Sequence, residues 1–141
     1  MSDLLALCAS LPTRSVAKGE TVFDEGAKDG EILVLKSGRV EVRKGEHTVT
    51  TVEHPGSVFG EIALLLDQGH SAGVVALEDS EFHVAPDGDE LLASNPEVYR
   101  EIARVVAQRL VRASERVAEL LERLDDEKDL SDFQMMMLWD E

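Results

Sequence analysis

The residues best suited to binding chemistry lie in one glycine-rich stretch, residues 55–76. It begins Pro55-Gly56-Ser57-Val58-Phe59-Gly60-Glu61-Ile62-Ala63 and continues to His70-Ser71-Ala72-Gly73. The pattern predicts a tight turn, a short helical turn over 61–66, an open loop and then a strand. Glycine just before a helix lets backbone N–H groups approach an anion, so this arrangement suits one small phosphate group. No Gly-Lys-Ser/Thr run follows, so the stretch is not a nucleoside-triphosphate phosphate loop.

Other side chains with catalytic or metal-ligating chemistry are scattered along the chain. His47, His54 and His83 show no metal-ligand spacing, so we expect no metal site. No Ser–His–acid set or paired-carboxylate motif is present, so we expect neither enzymatic activity nor a cofactor. The single cysteine, Cys8, lies in an apolar segment, where a small buried residue is the commoner interpretation than a redox sensor.

Short strands are expected to position the glycine-rich stretch. Apolar segments alternate with glycine-containing turns at short intervals, which is typical of a sandwich or barrel. The predicted strands are 21–24, 31–36, 39–43, 48–53, 72–77 and 81–85. Lys36-Ser37-Gly38-Arg39 predicts a tight hairpin, because glycine allows a positive φ there.

Helical patterns flank this β region. Residues 4–11 predict a short amphipathic helix that ends before a proline, and residues 87–92 begin a second short helix with acidic residues in its first turn. A long C-terminal helix is predicted to begin at Pro96, with Asn95 as its N-cap, and to continue to about Glu127.

Apolar residues recur along that helix at alternating steps of three and four, the heptad spacing of a helix that pairs with another helix. The residues of this predicted dimer seam are Ala103, Val106, Leu110, Ala113, Val117, Leu120 and Leu124. The alternative is that the seam packs only on the chain's own β region, and we expect this packing for its first half. The second half extends further than a domain of this size covers, so we expect a homodimer through the long helix.

Several motifs taken together indicate a family. They are Lys18-Gly19-Glu20, Glu25-Gly26, Ser37-Gly38-Arg39-Val40-Glu41-Val42 and Pro55-Gly56 followed by Phe59-Gly60-Glu61-Ile62-Ala63-Leu64. With these motifs the chain resembles, over residues 4–124, the cyclic nucleotide-binding domain of catabolite-activator-type regulators, of the kinase regulatory subunit and of cyclic-nucleotide-gated channels. The resemblance implies a mainly β fold with flanking helices, namely a β jelly roll (a double-stranded β-helix barrel) with a short N-terminal and a long C-terminal helix.

In that family a phosphate-binding cassette holds cyclic AMP or cyclic GMP, and the resemblance assigns its roles here. Glu61, after Gly60, accepts from the ribose 2′-hydroxyl, and an arginine nine residues later pairs with the cyclic phosphate. His70 occupies that arginine position, and Gly73 replaces the usual serine or threonine. The implied binding residues are Gly60, Glu61, Ile62, Ala63, His70, Ser71 and Ala72, with the backbone N–H groups near Ile62-Ala63 and Ser71-Ala72 taking the phosphate.

The replacement of arginine by His70 predicts weakened binding. Arginine is always charged and presents a planar fork to phosphate, whereas histidine is largely neutral at pH 7. Losing a charge-assisted hydrogen bond worth roughly 1.5–3 kcal/mol weakens binding about 10- to 100-fold. The choice between adenine and guanine stays open, because Gly73 lacks a hydroxyl. The alternative is that His70 is only a surface loop residue without a phosphate role.

Composition and length bound the function classes. A chain of 141 residues with a net charge of −15 fits one domain and argues against binding a nucleic-acid backbone. No apolar run approaches the roughly 20 residues of a membrane span, and no basic-then-apolar leader opens the chain. With a single cysteine, these features favour a cytoplasmic location without membrane insertion. The residues after Glu127 are too few for a helix-turn-helix domain, so we expect no DNA-binding domain.

These observations predict three segments. Residues 1–94 form the jelly roll with its N-terminal helix, residues 95–127 form a long lid or dimerisation helix of the same domain, and residues 128–141 form an acidic, methionine-rich tail. Phe133 and Trp139 in that tail either pack back on the domain, dock a partner or cover the pocket.

The predicted function is a non-enzymatic regulatory module that resembles a cyclic nucleotide sensor. It binds cyclic AMP or cyclic GMP weakly and relays the bound state through the C-terminal helix to an unknown downstream protein. The alternative is a ligand-independent dimeric interaction or scaffold module that has lost nucleotide binding.

Overall fold

Residues 3–124 are described by the computed structural model, and eight strands and four helices lie within them. The strands are β1 Thr13–Val16, β2 Thr21–Phe23, β3 Ile32–Ser37, β4 Val40–Lys44, β5 His47–Val52, β6 Val58–Phe59, β7 Gly73–Ala76 and β8 Ser80–Ala85. The helices are α1 Leu4–Leu7, α2 Glu61–Leu65, α3 Gly88–Ser94 and α4 Pro96–Glu122. The predicted tail, residues 128–141 with Phe133 and Trp139, lies outside the described residues.

The strands form two antiparallel four-stranded sheets, in the orders β1-β8-β3-β6 and β2-β7-β4-β5. Among strands consecutive in the described chain, only β4 and β5 pair with each other, so the chain alternates between the sheets at nearly every connection. This arrangement confirms the predicted mainly β jelly roll with a short N-terminal and a long C-terminal helix.

The core is built by side chains that both sheets contribute. The buried cluster consists of Val16, Leu33, Leu35, Val40, Phe59, Val74, Ala76, Phe82 and Val84. Phe59 and Phe82 meet edge to face, with their ring centroids 6.0 Å apart. Because burying one such side chain contributes about 1.5–3 kcal/mol, this cluster is a main source of the stability that holds the loops in place.

The predicted hairpin at residues 36–39 is wrong. β3 and β4 belong to different sheets, and the turn between them carries the chain across the barrel. Gly38 has φ +105°, and a side chain there would collide with Ser80. The sharp hairpin of this region joins β4 to β5 through Gly45-Glu46, where Lys44 is paired with His47.

Helices α2, α3 and α4 begin within one residue of the predicted positions, whereas α1 ends at Leu7 and not at the predicted residue 11. A second difference concerns Asn95. Asp87 caps α3 by accepting from the Glu90 N–H at 3.1 Å. The Asn95 carbonyl accepts from the Tyr99 N–H at 3.1 Å, but its side-chain amide donates back to the Leu91 carbonyl at 3.2 Å. The Asn95 side chain therefore closes the end of α3 instead of capping α4.

Helix α4 contains 27 residues and ends at Glu122. Its predicted end near Glu127 falls outside the described residues. The chain divides into two units within this helix, between Ile102 and Ala103. Of the helices in residues 3–124, none combines the length and apolar character that crossing a membrane requires.

Candidate functional site

The first half of the predicted cassette is organised around Gly60. This residue follows β6, precedes α2 and has φ +90°, a backbone conformation that glycine adopts without strain. A Cβ atom at this position would collide with the Glu31 carbonyl and would stand 3.6 Å from Cε1 of His70. Gly60 thus brings the start of α2 against both the β2–β3 loop (residues 24–31) and the second half of the cassette.

Helix α2 presents the predicted ribose and phosphate contacts at its first turn. Glu61 is its first residue and is only 2% exposed, and Ala63 is also buried. The Leu64 N–H donates to the Gly60 carbonyl at 3.2 Å and is the first N–H of this turn to bond within the helix. The N–H groups of Ile62 and Ala63 precede that bond, as the first N–H groups of any α-helix do, and this arrangement suits an anion.

The backbone of His70 is paired with the β2–β3 loop. The Gly26 N–H donates to the His70 carbonyl at 2.8 Å, and the His70 N–H donates to the Ala27 carbonyl at 2.8 Å. Two bonds to adjacent loop residues fix both the position and the orientation of His70. The cassette and the β2–β3 loop therefore form one hydrogen-bonded unit.

The His70 side chain contacts both the end of β2 and that loop. Its ring stacks on Phe23 with centroids 3.9 Å apart, and its Nε2 lies 3.0 Å from Asp29 Oδ2. An ionised carboxylate can only accept, so Nε2 is the donor in this contact. With 5% exposure, His70 is not the surface loop residue of the alternative interpretation.

Asp29 is itself held by a short network. Its Oδ1 accepts from the Glu31 N–H at 3.0 Å. The Glu31 carboxylate in turn accepts hydrogen bonds from both terminal nitrogens of Arg14, at 3.0 and 2.7 Å. The hydrogen bond to Glu31 raises the pKa of Arg14, so the guanidinium stays charged. The sequence motifs did not reveal Asp29 or Phe23 as partners of the cassette, because Phe23 ends β2 and Asp29 lies in the following loop, both more than 40 residues before His70.

The second half of the cassette, Ser71-Ala72, is half-buried and leads directly into β7. The Ser71 carbonyl accepts from Lys44 Nζ at 2.7 Å. Lys44 ends β4, and β4 is aligned with β7 through the pair Arg43 and Gly73. Lys44 is a second contact that the sequence motifs did not predict.

Four acidic side chains around the cassette have a basic or imidazole neighbour. The pairs are Glu31 with Arg14 at 2.7 Å, Asp67 with Lys28 at 3.0 Å, Asp29 with His70 at 3.0 Å and Glu25 with Lys44 at 3.7 Å. Such partly exposed pairs contribute little stability individually. Their consequence here is electrostatic, because pairing reduces the negative potential that an approaching phosphate would meet.

A cavity of about 350 Å³ lies between α2, the β2–β3 loop and the start of α3. The predicted binding residues that line it are Gly60, Ala63 and His70. Its charged lining residues are Lys28, Glu31, Asp67 and Asp89. With three carboxylates and one ammonium group, this cavity does not suit an anion, so it is not the expected phosphate position.

The family is decided by comparison with known proteins. The profile of the cyclic nucleotide-binding domain matches residues 13–92, which contain the whole cassette and most of the jelly roll. The chain belongs to the cyclic nucleotide-binding domain family.

Two similar proteins are regulators by name. The CRP-like cAMP-activated global transcriptional regulator of Mycobacterium tuberculosis is 28% identical over 127 residues, covering 85% of this chain. The cAMP-dependent protein kinase regulatory subunit of Hypocrea atroviridis is 36% identical over 70 residues, covering 50% of this chain and 15% of that subunit. The crystal structure of Thermus thermophilus catabolite activator protein is similar with a TM-score of 0.65 and 28% identity, covering 84% of this chain and 65% of that one. This domain spans only 56% of the length of the mycobacterial regulator.

The residues of the predicted dimer seam differ in exposure. Val106 and Val117 are half-buried, whereas Ala103, Leu110, Ala113 and Leu120 are exposed on α4. Leu124 is also exposed and follows the end of the helix. An exposed apolar row on a long helix is the surface that pairing with another helix would bury.

Proposed function

We propose that this domain is a non-enzymatic, cytoplasmic regulatory module that binds cyclic AMP or cyclic GMP weakly at residues 60–72. The observation that carries the proposal is how close the two halves of the cassette lie, since a Cβ atom added to Gly60 would stand 3.6 Å from Cε1 of the His70 ring. Because the halves lie this close, the N–H groups of Ile62-Ala63 and of Ser71-Ala72 can converge on one phosphate. Membership of the family supplies the class of ligand.

Glu61, the backbone N–H groups of the cassette and His70 have different roles in binding the ligand. Glu61, at the first position of α2, accepts from the ribose 2′-hydroxyl. The backbone N–H groups of both halves bind the cyclic phosphate, as N–H groups at helix starts and in turns bind anions elsewhere. His70 positions the second half through its backbone bonds to Gly26 and Ala27, while its Nε2 donates to Asp29.

Weak binding follows from the arrangement of His70. Its Nε2 donates to Asp29, so this nitrogen is not available to a phosphate unless the ring turns. Arginine at this position could pair with Asp29 and still offer other N–H groups to the ligand, because a guanidinium has five donors. We therefore expect a dissociation constant of the order of tens of micromolar, against sub-micromolar with arginine.

Dimerisation and relay complete the proposal. The exposed row on α4 pairs with the same row of a second copy, which removes apolar surface from water. Residues Pro96–Glu122 form one helix, and the proposal assigns the relay of the bound state to it. Ligand binding changes the state of α4 only if the ligand contacts differ between two states, and the cassette contacts are the candidates for that difference.

Calorimetric titration with cyclic AMP and with cyclic GMP tests the proposal. The wild type should bind one of the two weakly, and His70→Arg should bind about 10- to 100-fold more tightly. His54→Arg is the matched control, because it adds the same charge at an exposed histidine outside the cassette and should leave the affinity unchanged. Absence of heat with the wild type and with His70→Arg, in proteins whose folding circular dichroism confirms, would remove the sensor proposal.

The second candidate is a dimeric interaction module that has lost nucleotide binding. The contacts of His70 with Asp29 and Phe23 favour it, since a buried side chain with such contacts contributes to stability without any ligand. In that case both nucleotides fail to bind, while α4 still pairs two copies.

A further inference from the structure

We propose that Lys44 is a positioning residue of the ligand site, which orients the peptide between Ser71 and Ala72 so that the Ala72 N–H faces the phosphate. This inference rests on the proposed function, because it concerns the same cassette. Lys44 belongs to none of the family motifs of the sequence. It is assigned from its contact with the cassette.

The geometry of a trans peptide connects the bond between Lys44 and the Ser71 carbonyl to the direction of the Ala72 N–H. Lys44 Nζ donates to the Ser71 carbonyl at 2.7 Å. In a trans peptide the carbonyl and the following N–H point in opposite directions, since all six atoms share a plane. While Lys44 holds the Ser71 carbonyl on one side of the segment, the Ala72 N–H is directed to the other side.

The position of Lys44 is set by its own surroundings. It is the last residue of β4 and pairs with His47 at the hairpin, one position after the alignment of Arg43 with Gly73. Glu25 adds a second restraint, because its Oε1 accepts from the Gly45 N–H at 2.9 Å and its Oε2 lies 3.7 Å from Lys44 Nζ. The ammonium group therefore stands between Glu25 and the cassette.

The segment needs such a restraint because it lies between two fixed points. His70 is bonded to Gly26 and Ala27, and the pairing of β7 with β4 begins at Gly73. Between them, the Ser71-Ala72 peptide can rotate without breaking either set of bonds. The bond from Lys44 selects one orientation before the ligand arrives, and such preorganisation raises affinity by removing an ordering cost.

Lys44→Met tests this role, because methionine keeps much of the stem and removes the donor. Lys36→Met is the matched control: Lys36 is a half-exposed lysine of the other sheet, ion-paired with Glu81 at 2.8 Å, and its loss changes the net charge equally. Both changes are made in the wild type and in His70→Arg, and cyclic AMP and cyclic GMP affinities are measured by calorimetry. Lys44→Met should weaken binding about three- to tenfold, Lys36→Met should not, and Lys44→Arg should restore affinity.

A measurement on the ligand-free protein tests the role of Lys44 separately from nucleotide binding. In ¹H–¹⁵N NMR spectra of the free protein, Lys44→Met should shift the Ala72 amide signal, and Lys36→Met should leave it in place. If His70→Arg binds nucleotide but Lys44→Met changes neither its affinity nor the Ala72 signal, the role of Lys44 is refuted and the sensor proposal stands. If no variant binds nucleotide, the sensor proposal fails and the phosphate role of Lys44 falls with it.

Discussion

Asp29→Ala tests whether the β2–β3 loop and the cassette form one structural unit. The substitution removes both oxygens of the network at once: the acceptor of His70 Nε2 and the acceptor of the Glu31 N–H. His70 is 5% exposed, so water reaches its ring poorly, whereas the Asp29 side chain is 33% exposed and water can replace part of what it provides.

The expected loss of stability in Asp29→Ala follows from the exposed fractions of His70 and Asp29. A buried donor left without a partner costs about 1–3 kcal/mol, and an exposed one costs much less because water takes its place. The Coulomb attraction of a partly exposed pair adds little. We therefore expect Asp29→Ala to lower the free energy of unfolding by about 2 kcal/mol, nearly all of it through His70. For a domain of this size, that loss corresponds to a Tm lower by roughly 6–10 °C.

The assay is urea unfolding monitored by circular dichroism, with Asp24→Ala as the control. Asp24 lies in the same loop and is exposed, so its loss should change stability by less than about 0.5 kcal/mol. In a double-mutant cycle, Asp29→Ala should lower the free energy of unfolding much less when His70 is already alanine, because the His70 donor that would lose its acceptor is then absent. Equal effects of Asp29→Ala and Asp24→Ala, or additive effects in the cycle, would show that the contact between His70 and Asp29 does not support the cassette.

Two further predictions concern the N-terminal segment and the long helix. Cys8 is buried, and burial raises the pKa of its thiol, so thiolate is scarce in the folded state. At pH 8 a disulfide reagent should therefore label the native protein at least about 100-fold more slowly than the urea-unfolded chain. Equal labelling rates would mean that the segment around Cys8 is not packed. For the seam, sedimentation should find a dimer for the wild type and a monomer for Leu110→Asp combined with Val117→Asp. Val111→Asp, next to the seam but outside it, should remain dimeric, and a monomeric wild type would contradict the seam.

Much of the fold could be predicted because the signals that define it are local. Strands such as Ile32–Ser37 and His47–Val52 are bounded by glycine turns, and an Asp87 cap begins α3. β1 and β6 were not predicted, since β1 contains the charged Arg14 and β6 has only two residues within the glycine-rich stretch. The hairpin error has a different cause: the turn chemistry at Gly38 is the same whether the chain returns in one sheet or crosses to the other, and only distant strand pairing decides.

The candidate site was predicted only where its residues are close together in the sequence. The motif names Gly60, Glu61 and His70 because they are close in sequence, but it does not specify what holds His70. Asp29 precedes it by 41 residues and Lys44 precedes Ser71 by 27, and no periodicity connects them. Such partners come together through the jelly-roll topology, which places the β2–β3 loop and the end of β4 beside the cassette.

A net charge of −15 opposes an anionic ligand in total, but the distribution of the charges matters more than their sum. Charges further from the site than a Debye length of about 8 Å are largely screened at physiological ionic strength, so the groups beside the cassette dominate. Those groups are the paired carboxylates of Glu25, Asp29 and Glu31, each with a basic or imidazole neighbour. A substitution such as Asp29→Ala removes one carboxylate from this set, while distant acidic residues leave the local potential almost unchanged. Ligand affinity should therefore depend on the ionisable groups beside residues 60–72 and hardly at all on the overall acidity of the chain.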